Sequence, residues 1–119
     1  MFNIYDRLEN QIACFEENGT LYDKMQNQLG KLEDTGGIYD VSGQRVAYIE
    51  GNNVYSNLGE RLGYLESDTI YDNFGNILNY LENYRLLLPD RSILYRFDTD
   101  HTSHIRNLSL MAAFKLLGL

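Results

Sequence analysis

The sequence is short of several things that most globular domains use. Its 119 residues include no Trp, one Pro and one Cys. A lone Cys14 excludes an intrachain disulfide and any cysteine-based metal site. It lies in a predicted strand, where a buried structural thiol is a better reading than a nucleophile. Positive charge is scarce as well: 10 Lys and Arg face 17 Asp and Glu, a net charge of −7. Such a chain repels phosphate backbones and anionic lipid, so neither nucleic acid nor an anionic membrane is an expected partner. No stretch is long and apolar enough for a transmembrane helix. Met1-Phe2-Asn3-Ile4-Tyr5-Asp6 runs straight into patterned sequence without a basic segment or an apolar leader, so a cytoplasmic location is expected. No glycine-rich loop opens a helix, and no Ser/His/Asp constellation can be assembled. An enzyme is therefore not expected, and no catalytic, cofactor-binding or metal-ligating residue is assigned.

What the chain does have is Tyr and Gly, ten of each. That combination favours strands and tight turns over helices. The length suits one domain.

The pattern is a tandem repeat. Branched or aliphatic residues recur at Ile4, Leu21, Ile38, Val54, Ile70 and Leu86, at spacings of 17, 17, 16, 16 and 16. The next position holds Tyr5, Tyr22, Tyr39, Tyr55 and Tyr71, then Leu87. Asp6, Asp23, Asp40, Ser56 and Asp72 follow, then Leu88. Later in each unit an aliphatic residue recurs at Ile12, Leu29, Val46, Leu62, Leu78 and Leu94. An acid closes every unit: Glu16, Glu33, Glu50, Glu66, Glu82 and Asp98. The chain therefore divides into six units at about 3–18, 19–35, 36–51, 52–67, 68–83 and 84–98, followed by residues 99–119, all within one domain. The sixth unit, with Leu86-Leu87-Leu88-Pro89, is atypical, as terminal repeats commonly are.

Each unit reads as a β-hairpin. Asp40-Val41-Ser42-Gly43 has Asp and Gly at the first and fourth positions of a type I turn whose last residue needs positive φ. Glu9 and Gln26 replace that Gly in the first two units, which predicts strained or differently built turns there. Alternation around this turn places Ile38 opposite Val46, with Tyr48 on the same face, and puts Tyr39, Ala47 and Ile49 on the other. The small residues Ala13, Gly30, Ala47 and Gly63 are expected to leave room for the Tyr rings. A single hairpin is unstable in water, so the units must pack on one another. A radial, closed array is expected because closure removes sheet edges; an open hairpin solenoid is the alternative.

Thr99–His104 reads as a polar turn. The apolar stretch from Ile105 to Leu119 is expected to be buried, as a helix of three to four turns starting near Asn107 or Ser109 or as a final strand. It needs a cover, either its own array or a second subunit, which makes the tail a candidate surface for homo-oligomer formation.

Three groups could carry chemistry. The acid column could ring an axis and hold a cation, although carboxylates at strand ends more often meet solvent or turn backbone. Asp98, Asp100, His101, His104 and Arg106 could bind metal or move protons, but no zinc spacing is matched. A loop that anchors the tail, with His104 and Arg106, is the better reading. Tyr5, Tyr22, Tyr39, Tyr55 and Tyr71 could form a stacking platform for a glycan, or pack between hairpins.

The unit Ile38-Tyr39-Asp40-Val41-Ser42-Gly43 and the terminal His104-Ile105-Arg106 followed by Met111-Ala112-Ala113-Phe114 resemble the bacterial β-flower family. Those proteins carry tandem aliphatic-Tyr-Asp-x-x-Gly units and end in a His-Ile-Arg element with an Ala/Leu run. The resemblance implies an all-β, flower-like hairpin array and carries no biochemical activity. The Tyr-Asp string is also similar to the repeats of large toxin shells, but six short units cannot enclose a cargo. The sequence thus points to a non-catalytic structural or interaction module with a protein partner. The alternative is a module that binds a glycan or cell-envelope polymer through its Tyr columns.

Overall fold

The computed structural model describes residues 1–99 and 101–119. The six units are six antiparallel hairpins. They are β1 (Phe2–Asp6) with β2 (Gln11–Phe15), β3 (Thr20–Asp23) with β4 (Gln28–Leu32), and β5 (Gly37–Tyr39) with β6 (Arg45–Glu50). They continue with β7 (Asn53–Ser56) and β8 (Arg61–Glu66), β9 (Thr69–Asp72) and β10 (Ile77–Glu82), and β11 (Arg85–Leu87) and β12 (Ile93–Phe97). Neighbours in sequence are neighbours in space, and β12 pairs back onto β1 through Ile4↔Phe97 and Tyr5↔Arg96. The result is a closed twelve-stranded barrel, so the radial array holds and the open solenoid does not. Closure leaves no free sheet edge. With extents of 35 × 33 × 20 Å, the molecule is a squat ring.

One turn design recurs six times. In the third unit the Gly43 N–H donates to the Asp40 carbonyl at 3.0 Å, and the Asp40 N–H donates to the Gln44 carbonyl at 2.9 Å. The same two bonds recur from Asp6, Asp23, Ser56, Asp72 and Leu88. The turn's last residue is left-handed every time: Gly43, Gly59 and Gly75 at φ 86–89°, and Glu9, Gln26 and Arg91 at 65–70°. The Gly-less turns are therefore built alike, at a strain of about 1–2 kcal/mol for each L-residue in that region. The Asp column staples the turns. The Asp40 carboxylate accepts the backbone N–H groups of Ser42 and Gln44 at 2.9 and 3.0 Å, and Asp6, Asp23 and Asp72 do the same.

The change in repeat length has a local cause. The first two inter-unit loops have three residues and end in left-handed Gly19 and Gly36. The next three have two: Gly51-Asn52, Ser67-Asp68 and Asn83-Tyr84.

A bulge in every hairpin corrects the expected faces. Ile38 pairs with Ala47 and Tyr39 with Arg45, so Val46 is the extra residue and does not oppose Ile38. One inserted residue exchanges the two faces beyond it. Ile38, Ala47 and Ile49 therefore point inward and are buried, while Tyr39 and Tyr48 are outside and half-buried. Ile4, Leu21, Ile38, Val54, Ile70 and Leu86, one per unit, are all 0% exposed and form an inner belt.

The tail is a helix, α1 (Thr102–Ala113), which begins five residues before the expected Asn107. No Gly or Pro interrupts residues 102–113, so helical geometry extends back through the polar segment to an extended His101. Six consecutive residues from Asn107 to Ala112 are buried, and Leu108, Ser109, Leu110 and Met111 reach 0% exposure. A helix resting on one face of a sheet keeps a wet side. This one has none over that stretch, because it fills the lumen of its own barrel. The small inward column makes the space. A Cβ at Gly63 would collide with the Phe114 ring and the Tyr71 carbonyl, and one at Gly30 would come within 2.7 Å of the Leu117 side chain. The room accommodates the tail and not, as expected, the Tyr rings.

Candidate functional site

The Tyr column lies on the outer wall, where it meets residues of the preceding strand. Tyr55 stacks on Tyr48 with ring centroids 5.1 Å apart, and Tyr71 stacks on Tyr64 at 5.2 Å. Arginines cover the ends of these stacks: Arg45 lies 4.8 Å from the Tyr48 centroid and Arg61 lies 4.7 Å from that of Tyr64. Each guanidinium is fixed by the next turn, since Arg45 Nε donates to Asn57 Oδ1 at 2.9 Å and Arg61 Nε to Asn73 Oδ1 at 2.8 Å. Tyr5 lies under Arg96 at 4.5 Å, and Arg96 also forms an ion pair with Glu9 at 2.6 Å across the seam between first and last strands. The Tyr39 phenol meets the Glu33 carboxylate, which pushes its pKa up. Tyr22 sits between its register partners Cys14 and Gln28, and Cys14 is buried there as expected of a structural thiol. Aromatic and cation–π pairs of this kind are worth about 0.5–1.5 kcal/mol each. The column thus forms a ladder that ties hairpin to hairpin, with its ring faces largely engaged.

The acids at the unit ends do not gather. Among the described residues no three His, Cys, Asp or Glu side chains are placed to hold a metal ion. Asp100, counted with His101, His104 and Arg106 as a candidate cluster, lies outside the described residues. His101 and His104 stack on each other at 4.2 Å. His104 also packs on Phe2 at 6.2 Å and meets Phe15 edge-on at 5.3 Å, which anchors the first turn of α1 to the first hairpin. Burial, helped by the charge of His101, lowers the pKa of His104. His101 adopts the helix-capping position without a side-chain cap bond.

The mouth of the barrel is filled unevenly. On the side of the first hairpin Phe15 is 2% exposed, while Leu65 and Leu81 across the ring are only half-buried. They line a cleft of about 550 Å³ with Asp68, Glu82, Tyr84, Ile105 and Arg106. A second cleft of about 510 Å³ lies between Glu17, Asp34, His101, His104 and Arg106. Arg106 borders both, and its Nε contacts Asn107 Oδ1 at 3.4 Å.

The opposite rim carries a feature that the sequence reading passed over. Five of the six within-unit turns hold a large apolar side chain that is more than three-fifths exposed: Leu8 (72%), Met25 (73%), Val41 (63%), Leu58 (90%) and Phe74 (89%); in the sixth, Leu88 is 36% exposed. The signal was present as an apolar residue between Asp or Ser and the left-handed position, inside columns read only as turn chemistry.

The family model described as "4-fold beta flower protein" matches residues 19–94, which span the second to fifth hairpins and most of the sixth. No curated protein and no solved structure matches the chain.

Proposed function

The chain belongs to the 4-fold beta flower family, and on that premise we propose that it is a non-catalytic interaction module, a rigid plugged ring that meets a partner through its surface. The observation that carries this reading is the occupied lumen. Among the described residues α1 occupies the barrel interior, which leaves clefts at its mouth and not a reaction chamber or a channel. The groups best suited to chemistry have structural work: Asp carboxylates hold turns, and Tyr and Arg side chains hold neighbouring hairpins together. The tail, considered above as an assembly surface, is engaged within its own subunit.

The second reading, a glycan module, draws support from the half-exposed Tyr and Arg ladder. The variant combining Tyr39→Phe, Tyr55→Phe and Tyr71→Phe separates the two. It keeps the stacked rings and removes the hydroxyls. On the interaction reading the variant stays folded, and neither protein is retarded by soluble polysaccharides in affinity electrophoresis. Retardation of the wild type that disappears in the folded variant would replace the interaction reading with the glycan one.

A further inference from the structure

The six within-unit turns all lie at one rim, because odd-numbered strands run toward it and even-numbered strands run away. The five exposed apolar side chains therefore stand on one circle. The turn does not require them: Ser42 and Asp90 occupy the position that holds Leu58 and Phe74 in other units, and the bonding of the turn is the same. None of the five belongs to the core. A Leu and a Phe about nine-tenths exposed add nothing to the core, and it is the placement of five such side chains on one circle, and not their single exposure, that points outside the fold.

The arrangement selects among partners. Adjacent turns are separated by two strand spacings, at least about 10 Å, and polar turn atoms lie between them. The apolar tips are therefore separate points and not the continuous patch that a protein interface core needs. A second copy meeting this rim face to face would oppose like charge, since the six five-residue turn segments hold seven acids and three bases. A lipid interface, by contrast, accepts separate protruding side chains without matching pockets. The charges fit a neutral bilayer. Asp6, Asp23, Asp40 and Asp72 turn their carboxylates back onto turn N–H groups. The bases Arg7 and Lys24 sit within two of these turns as potential phosphate contacts, while Arg91, in the sixth turn, covers the Tyr80 ring at 4.0 Å. The ring cannot span such a bilayer: its strands have three to six residues where about 9–11 are needed.

We propose that the within-unit rim is a docking surface for a zwitterionic phospholipid bilayer, into which Leu8, Met25, Val41, Leu58 and Phe74 insert shallowly. This rests on the interaction-module reading and names its partner.

The full chain is tested by flotation with vesicles of phosphatidylcholine alone. Wild type should float with them. The double variant Leu58→Ser with Phe74→Ser should lose about 100-fold in partitioning, about tenfold for each side chain withdrawn from the lipid. Its circular dichroism and thermal midpoint should stay unchanged, because both positions are exposed. The chain has no Trp, so Leu58→Trp supplies a background-free probe whose emission should shift to the blue on adding vesicles. Wild type that stays behind, a Leu58→Trp emission that does not move, or a double variant that floats as well as wild type would each overturn the proposal. A wild-type dimer in light scattering that the double variant converts to monomer would assign the rim to a second copy. That outcome overturns the membrane assignment and leaves the interaction module standing, whereas Tyr-dependent glycan binding removes the module itself.

Discussion

Exchanging Gln26 for Gly should stabilise the protein. Gln26 holds φ at 69°, while Gly43 holds the equivalent position at 87°. Both donate the same turn bond at 3.0 Å, to Asp23 and Asp40 respectively. The two turns therefore differ at this position by a side chain and not by hydrogen bonding. A left-handed L-residue costs about 1–2 kcal/mol. Glycine offsets part of that relief by about 0.5–1 kcal/mol, because its unfolded chain is freer. Gln26→Gly should thus gain about 0.5–1 kcal/mol. Gly43→Ala runs the experiment in reverse. Nothing lies within 4 Å of a Cβ placed at Gly43, so only the backbone resists the change. It should lose a similar amount. Urea unfolding should show both as opposite displacements of the midpoint at constant slope, equivalent to a few degrees in thermal midpoint. Glu9→Gly is a built-in contrast, since it relieves strain but removes the ion pair with Arg96; its gain should be smaller or absent. A loss of stability on Gln26→Gly, with Gly43→Ala neutral, would refute the claim that backbone strain distinguishes these turns.

Two further outcomes are expected. Ser109 is 0% exposed and its hydroxyl has no hydrogen-bond partner among the described residues, so Ser109→Ala should raise stability by about 1 kcal/mol through relief of an orphaned polar group; a clear loss in urea unfolding would mean that the hydroxyl is bonded. The carboxyls of Asp6, Asp23, Asp40, Asp72 and Asp90 have lowered pKa values, the last through bonds from Ser92, so their contribution is full above the ordinary Asp value of about 3.9 and is lost as pH falls through the lower folded values. His104, also lowered, adds an earlier decline as pH falls below about 6.5, and a urea midpoint unchanged between pH 7 and pH 2 would contradict both assignments.

The architecture was legible because the repeat writes each constraint five or six times. An aliphatic column, a Tyr column and an Asp or Ser turn at a fixed period leave little besides a hairpin array, and the need to bury edges favours closure. The faces were not legible. A bulge residue such as Val46 looks like any other strand residue, and counting by strict alternation past it interchanges Ala47 and Tyr48. The start of α1 was hidden for another reason: Thr102, Ser103 and His104 lie at the mouth of the barrel, where one turn can stay polar without betraying the helix. The small column was noticed but given to the wrong occupant, because the plug that needs the space lies some fifty residues away in sequence from Gly63. The apolar turn tips were not legible either, because Leu58 and Phe74 satisfy the turn as well as any polar residue. Only their exposure reveals that they are surplus to it.

The seam between β1 and β12 has a consequence for how the protein is made. The first strand waits for the last, and the tail that fills the lumen follows both. Until β12 and the tail leave the ribosome, the nascent hairpins have only an open strip to form, with an unpaired edge at Phe2–Asp6 and a bare apolar inner belt. The growing chain is therefore most open to edge-to-edge pairing with another nascent chain shortly before β12 and the tail emerge. Ring closure and plugging then remove both hazards in one late, cooperative event.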